Sequence, residues 1–188
     1  MNPENHRDTF CSFYAILVVI VAITGSTIGW CQEKPVAPYP NTAQGASALL
    51  QEFLKPGADL VALTKKLQPT DRDYESVFKP EVAKKLAEMY SQPWKDGLMV
   101  LAPKTGQKEL LLFSATSEEL QKWTGNAKEQ FPGGYERVGP SIADGFTFYR
   151  FKFVTPGAKI GLAFDGLVHV NGHWRLFPKP YRVFEESK

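Results

Sequence analysis

Beyond residue 35 the chain has no cysteine. Its two cysteines, Cys11 and Cys31, both lie in or beside an apolar N-terminal segment. The remainder therefore has no means of forming a disulfide, a thiolate nucleophile or a cysteine-based zinc site. Concentrated charge of one sign is also lacking. Net charge is +2, and basic residues gather in nothing larger than pairs such as Lys65-Lys66 and Lys84-Lys85. Nucleic-acid binding rests on a basic face that neutralises phosphates, so no such partner is expected. Familiar catalytic motifs are missing too. "PKTGQKE", Pro103–Glu109, does not follow the phosphate-loop pattern, and there is no G-x-S-x-G elbow, H-E-x-x-H pair or acidic calcium loop. Outside the N-terminal tail the only histidines are His169 and His173, and no serine is set beside either. No metal and no cofactor are expected.

What is present first is a long uncharged stretch. No residue between Asp8 and Glu33 is charged, and "FYAILVVIVAIT", Phe13–Thr24, is its apolar centre. That length suits a signal-peptide core; with "GSTIGWC" added, a helix there is long enough to cross a bilayer. Gly29 and Cys31 offer small residues for cleavage, while Trp30 departs from the small residue that bacterial lipoproteins place before the modified cysteine. Residues 1–33 are thus read as a signal peptide or membrane anchor. The domain behind them is exported or membrane-anchored, lies outside the cytoplasm, and touches the membrane only through that segment if it stays uncleaved. Residues 34–45, "KPVAPYPNTAQG", carry three prolines and read as a semi-rigid linker. Residues 46–188 form a single domain.

That domain begins helical. "ASALLQEFL" sets Leu49, Leu50, Phe53 and Leu54 at helical spacing, and Leu60, Val61, Leu63 and Leu67 follow in "ADLVALTKKL". Thr70 with Asp73 forms a capping box. Pro80 and Glu81 open a longer helix striped by Val82, Leu86, Met89 and Tyr90, ending at Pro93 and "KDG". Strands come next. "GLMVLAP" and "ELLLFSA" read as a hairpin, Thr116 with Glu119 caps a further helix, "GNAKEQFPGGY" is irregular and "YERV" is a short strand. "FTFYRFKFV", "KIGLAFDGLVHV" and "HWRLF" complete an antiparallel sheet, and "PKPYRVF" closes it. The fold class is α+β: N-terminal helices packed on a curved antiparallel sheet, behind the N-terminal hydrophobic helix.

The order of elements over residues 43 to 184, with the late run "FTFYRFKFV", "GLAFDGLVHV", "HWRLF", resembles the NTF2-like (cystatin-like) superfamily. The resemblance implies a conical α+β fold whose members include small dehydratases, isomerases and non-catalytic binding domains. It carries no catalytic residue over to this chain.

The stretch "DGLVHVNGHWRLFPKPYR", Asp165–Arg182, holds the candidate site. Asn171-Gly172 predicts a type I′ turn, because both central residues of such a turn need positive φ. Val170 then pairs with His173 and His169 with Trp174. The two histidines point to opposite faces, which rules out a shared metal ion. A register with Tyr149 opposite Asp165 puts Tyr149, Asp165, His169 and Trp174 on one face, as lining of a pocket. There Asp165 or His169 acts as general base and Tyr149 donates to an oxyanion. In the competing reading Asp165-Gly166 marks a turn or a bulge, Tyr149 sits at the core edge and His169 stacks on Trp174. Two functions follow. One is an exported cell-envelope domain of non-enzymatic binding or scaffolding type, with a small ligand or an envelope protein as partner. The other is a small cofactor-free enzyme of lyase or isomerase type using Asp165, His169 and Tyr149. A cavity lined by Tyr149, Asp165 and His169 favours ligand binding or catalysis; a packed sheet–helix interface leaves only partner binding or scaffolding.

Overall fold

The computed structural model describes residues 39–185. The signal peptide or anchor assigned to residues 1–33 lies outside the described residues, as does the start of the linker. Among the described residues no helix is long and apolar enough to cross a membrane.

Helix α1, Ala43–Gln51, begins inside the proline-rich stretch. Thr42 caps it by accepting from the Gly45 amide, and Ala46, Leu49 and Leu50 form its buried stripe. After a 3-10 turn at Glu52–Leu54 comes α2, Leu60–Lys65, capped by Asp59. Helix α3, Asp71–Val77, carries the expected capping box of Thr70 and Asp73. Helix α4, Pro80–Lys95, starts on its proline and buries Val82, Ala83, Leu86, Tyr90 and Trp94. It runs through Pro93 instead of stopping there. The proline sits in the last turn, where one lost intrahelical bond matters least, and the Leu98 amide closes the end on the Pro93 carbonyl.

The sheet has the order β1-β2-β3-β4 and is antiparallel throughout. Its strands are β1 Glu109–Thr116, β2 Thr147–Val154, β3 Gly161–Val170 and β4 His173–Leu176. Between β1 and β2 lie α5 (Ser117–Lys122, with the Thr116/Glu119 capping box), α6 (Gly125–Gln130) and α7 (Tyr135–Val138). A 3-10 turn, Pro180–Phe184, ends the described chain.

Three local expectations change. "GLMVLAP" is not a strand: β1 takes β2 as its neighbour, and the Leu101 amide goes to the Thr64 hydroxyl. "YERV" is α7, started by the turn in which the Tyr135 amide reaches the Pro132 carbonyl. "GNAKEQ" is α6, nucleated where the Glu119 carboxylate accepts from the Asn126 amide. Short polar segments of this kind carry little periodicity, so tertiary contacts decide them.

Both sheet faces are packed. On β2 successive side chains alternate. Phe148 meets Phe78 and Tyr135 on one face, each at 6.3 Å between ring centroids. Phe151 and Phe153 lie on the other with Phe164, and Phe53 covers Phe153 at 6.4 Å. The register shifts between Tyr149 and Arg150, where β3 carries an extra residue at Gly166. This bulge bends β3 and curves the sheet.

Gly166 has φ +86°, and a Cβ there would run into the Phe177 carbonyl oxygen, which accepts no movement because the Phe177 amide is bonded to the Gly166 carbonyl. Gly166→Ala should therefore destabilise the fold by at least about 2 kcal/mol. Denaturant unfolding measures it; a change below a few tenths would contradict the bulge.

Candidate functional site

The β3–β4 hairpin forms as its turn chemistry requires. Asn171 has φ 50° and Gly172 φ 81°, and the pairs are Val170–His173 and His169–Trp174. The Asn171 side chain has a second task. Its amide donates to Asp73 Oδ1 at 2.8 Å and to Ser76 Oγ at 3.2 Å. Arg175 on β4 donates from Nε to Asp73 Oδ2 at 2.9 Å and from a terminal nitrogen to the Lys66 carbonyl at 3.0 Å. Asp73 Oδ2 also accepts from the Thr70 amide and hydroxyl. Burial pushes this carboxyl upward, but the Thr70 amide, the Asn171 amide, the Thr70 hydroxyl and the Arg175 charge together hold it below its ordinary range. From sequence Asp73 reads only as half of a capping box. Its tie to a hairpin nearly a hundred residues on has no local signal.

The register differs from the one expected for the candidate pocket. Tyr149 pairs with Leu167, and Arg150 pairs with Asp165. The extra residue at Gly166 turns the Asp165 side chain to the face of Arg150, away from Tyr149 and His169. Three of the four candidates, Tyr149, His169 and Trp174, do come together. The Trp174 ring meets Tyr149 at 5.5 Å and His169 at 5.2 Å, both edge-on, and its Nε1 donates to the Tyr39 carbonyl at 2.9 Å. The three are packed ring on ring. Burial pushes the Tyr149 hydroxyl up, and burial with the nearby His173 charge pushes the His169 imidazole down, favouring its neutral form.

Asp165 keeps different company. It is 6% exposed, and its Oδ1 accepts from the Tyr135 hydroxyl at 3.0 Å and from the Lys179 amide at 3.2 Å. Burial raises its pKa; the bonds from Tyr135 and the Lys179 amide, and the charges of Lys179 and Arg150, offset part of that. Tyr135 is fully buried, and burial plus the adjacent carboxylate push its hydroxyl far up. Its ring is enclosed by Phe131, Phe148 and Tyr181. Sequence reasoning missed Tyr135, because "YERV" read as a strand. Arg150 donates to the Gln130 carbonyl, while its buried Nε has no partner among the described residues.

Two concavities flank this framework. A small one, about 140 Å³, is lined by Thr64, the loop Leu98–Leu101, Ala163–Asp165 and Leu176. A larger open groove, about 700 Å³, runs between α3 and α4 over Tyr74, Ala83, Ala87, Ser91 and Trp94. At its base the Tyr74 hydroxyl and the Trp94 indole N–H are buried without a hydrogen-bond partner among the described residues. The indole N–H lies close enough to draw the tyrosine pKa down a little, though burial still sets it well above normal. Trp123 takes the left-handed position that ends α5. Among the described residues no group of three or more histidine, cysteine or acidic side chains is arranged to hold a metal.

No family model, no curated protein and no solved structure matches this chain.

The two aspartates predict opposite pH behaviour. Asp73 has a depressed pKa, so its contribution is present above the unfolded value of about 3.9 and is lost as pH falls through the folded value. Asp73→Ala should cost about 3 kcal/mol at pH 7, since it leaves Arg175 half-buried and unpaired, and the deficit should shrink in acid. Asp165 has a raised pKa, so its charged form opposes folding above that pKa and the penalty vanishes below the unfolded value. Asp165→Asn, which keeps an acceptor for Tyr135, should match or exceed the parent in Tm at pH 7. That advantage should fade toward pH ~4. Paired melts across pH read both; an Asp165→Asn advantage that grows in acid would overturn the assignment.

Proposed function

We propose that the chain is an exported cell-envelope domain that binds or scaffolds a partner without catalysing a reaction. The observation that carries this reading is the filling of the sheet face behind the hairpin. Tyr149 and Trp174 are buried there edge to face, and His169 packs on the same indole. A pocket enzyme built on that face would need the space these rings occupy. Asp165 is turned to the other face and engaged by Tyr135 and Lys179. Contact area exists instead at the surface, in the α3–α4 groove and around the small concavity.

Export is supported by the uncharged run between Asp8 and Glu33, the proline-rich linker behind it and the absence of cysteine from the rest. The order of helices followed by a curved antiparallel sheet is compatible with an NTF2-like relationship, a superfamily that includes binding domains, and adds no activity of its own. One observation favours the second reading, a cofactor-free lyase or isomerase: Asp165, with its raised pKa, lines the 140 Å³ concavity. It would act there beside Tyr135, without His169 or Tyr149.

The test is a fragment screen on the full chain in detergent micelles, read by the NMR shifts of Tyr149, His169 and Trp174. No saturable perturbation at these three is expected. Binding there would open the sheet face that these rings fill and overturn the observation on which this reading rests. A reporter active only outside the cytoplasm, fused after Lys188, should be active; a silent fusion would remove the export assignment.

A further inference from the structure

Strand β3 outruns its neighbour. β4 pairs only with Leu167–Val170, and beyond it the Phe177 amide reaches the Gly166 carbonyl. Residues Gly161–Asp165 are paired with β2 on one side. Among the described residues no backbone hydrogen bond joins their other side to anything. Asp165 is itself buried beside Lys179, which leaves an open edge of four residues, Gly161–Phe164, about 13 Å long. Such edges usually carry charge, proline or a cover, because unpaired N–H and C=O groups invite another strand. Here Pro178 and Lys179 stand at one end and Lys159 at the other, and the stretch between them is apolar. Ile160, at the head of the strand, is 88% exposed and Leu98 is 73% exposed, with Val100 and Ala163 also open to solvent.

Beside this edge lies the 140 Å³ concavity. Its lining includes Ala163, Phe164, Leu176 and the loop Leu98–Leu101. A volume of that order holds a benzene-sized group, hence one branched or aromatic side chain. The loop lines the same space as β3 yet forms no backbone hydrogen bond with it, and its Leu101 amide is already spent on Thr64.

Charge marks the two ends. Lys159, exposed, stands immediately before Ile160, and Lys179, also exposed, lies on the rim of the concavity near Asp165. Among the described residues neither makes an ion pair.

We propose that this edge accepts an extended segment of a partner protein as an added strand, apolar at alternate positions and acidic at its ends. The proposal rests on the reading of the domain as a binding module. Main-chain hydrogen bonds to Gly161–Phe164 supply affinity, one apolar side chain fills the concavity, and the terminal carboxylates meet Lys159 and Lys179. A second copy of this chain fits less well. Antiparallel self-pairing would bring the Lys159 of one copy toward the Lys179 of the other, and like charges across a strand pair repel.

The experiment uses the full chain in detergent micelles and a panel of blocked, fluorescein-labelled heptapeptides. Each has Asp or Glu at both ends and Leu, Val or Phe at alternate inner positions; fluorescence anisotropy reports binding. Saturable binding is expected for members of the panel. It should weaken at least about tenfold in a Lys159→Glu, Lys179→Glu double variant, a loss of about 1.4 kcal/mol, and lysine-ended peptides should then bind that variant instead. Both lysines are exposed, and a cooperative melt, lowered only by the loss of the Lys179 charge beside Asp165, will show that the variant is folded. The best peptide, N-methylated at alternate residues, keeps its side chains and loses its ladder, so it should not bind. Equal binding of the N-methylated peptide would sink strand addition, as would a panel in which no member outbinds its scrambled control. Sedimentation showing a dimer held through this edge would assign it to a second copy and overturn the proposal. Failure of the peptides with Tyr149, His169 and Trp174 unperturbed by fragments removes this site alone; a fragment bound under the sheet removes the filled face on which the proposed function rests.

Discussion

Much of this fold converges on the carboxylate of Asp73. It closes the first turn of α3 on Thr70, takes the Asn171 amide from the tip of the β3–β4 hairpin, and receives the Arg175 guanidinium from β4. A carboxylate buried with one partner would oppose folding. With four donors it keeps its charge and becomes the fixed point from which the helices and the last two strands take their relative placement. Arg175 extends the tie to the Lys66 carbonyl, and the neighbouring Leu176 amide bonds the Leu67 carbonyl. The outer edge of β4 is thereby occupied by the segment leading into α3. β4 ends where that cover ends, and β3 carries on with β2 as its one strand neighbour.

The bulge at Gly166 is the second constraint. It separates two chemistries that a regular strand would have merged. On one face are Tyr149, His169 and Trp174, packed as aromatic rings; on the other Asp165 faces Tyr135, with Arg150 close by. The Asp165 carboxyl is accommodated by α7 and by Lys179, the residue ahead of the Pro180–Phe184 turn, which bring the Tyr135 hydroxyl and the Lys179 amide to the same carboxyl oxygen. Asp165 is thus held inside the molecule by backbone and phenol, a mode that permits a raised pKa without an adjoining base.

How much of this was legible in the sequence follows from the range of each interaction. The α+β class, the Thr70 and Thr116 capping boxes, the helix starting at Pro80 and the Asn171-Gly172 turn depend on residues within a few positions of one another, and the structure has them all. Pairing of His169 with Trp174 followed from the turn alone. The register between β2 and β3 did not, because one glycine decides it and an Asp-Gly pair signals a turn as readily as a bulge. Hence Tyr149, His169 and Trp174 were correctly placed on one face and Asp165 was not. Tyr135 and the tertiary role of Asp73 depend on contacts 30 to 102 residues apart, and nothing in their neighbourhoods announces them. "GLMVLAP" had strand composition, yet pairing is decided by which neighbour arrives, and β2 took that place.

The hydrogen bond from the Trp174 indole to the Tyr39 carbonyl joins the first described residue to the last strand of the sheet. In mechanical terms it is an anchor point. Tension entering along the proline-rich stretch meets β4 at Trp174 before it can peel α1 from its Thr42 cap. The load then passes through β4 to Arg175 and Asp73, along an ion pair and strand hydrogen bonds. The start of the described chain is thus gripped by the last strand of its sheet, and the two share one load path.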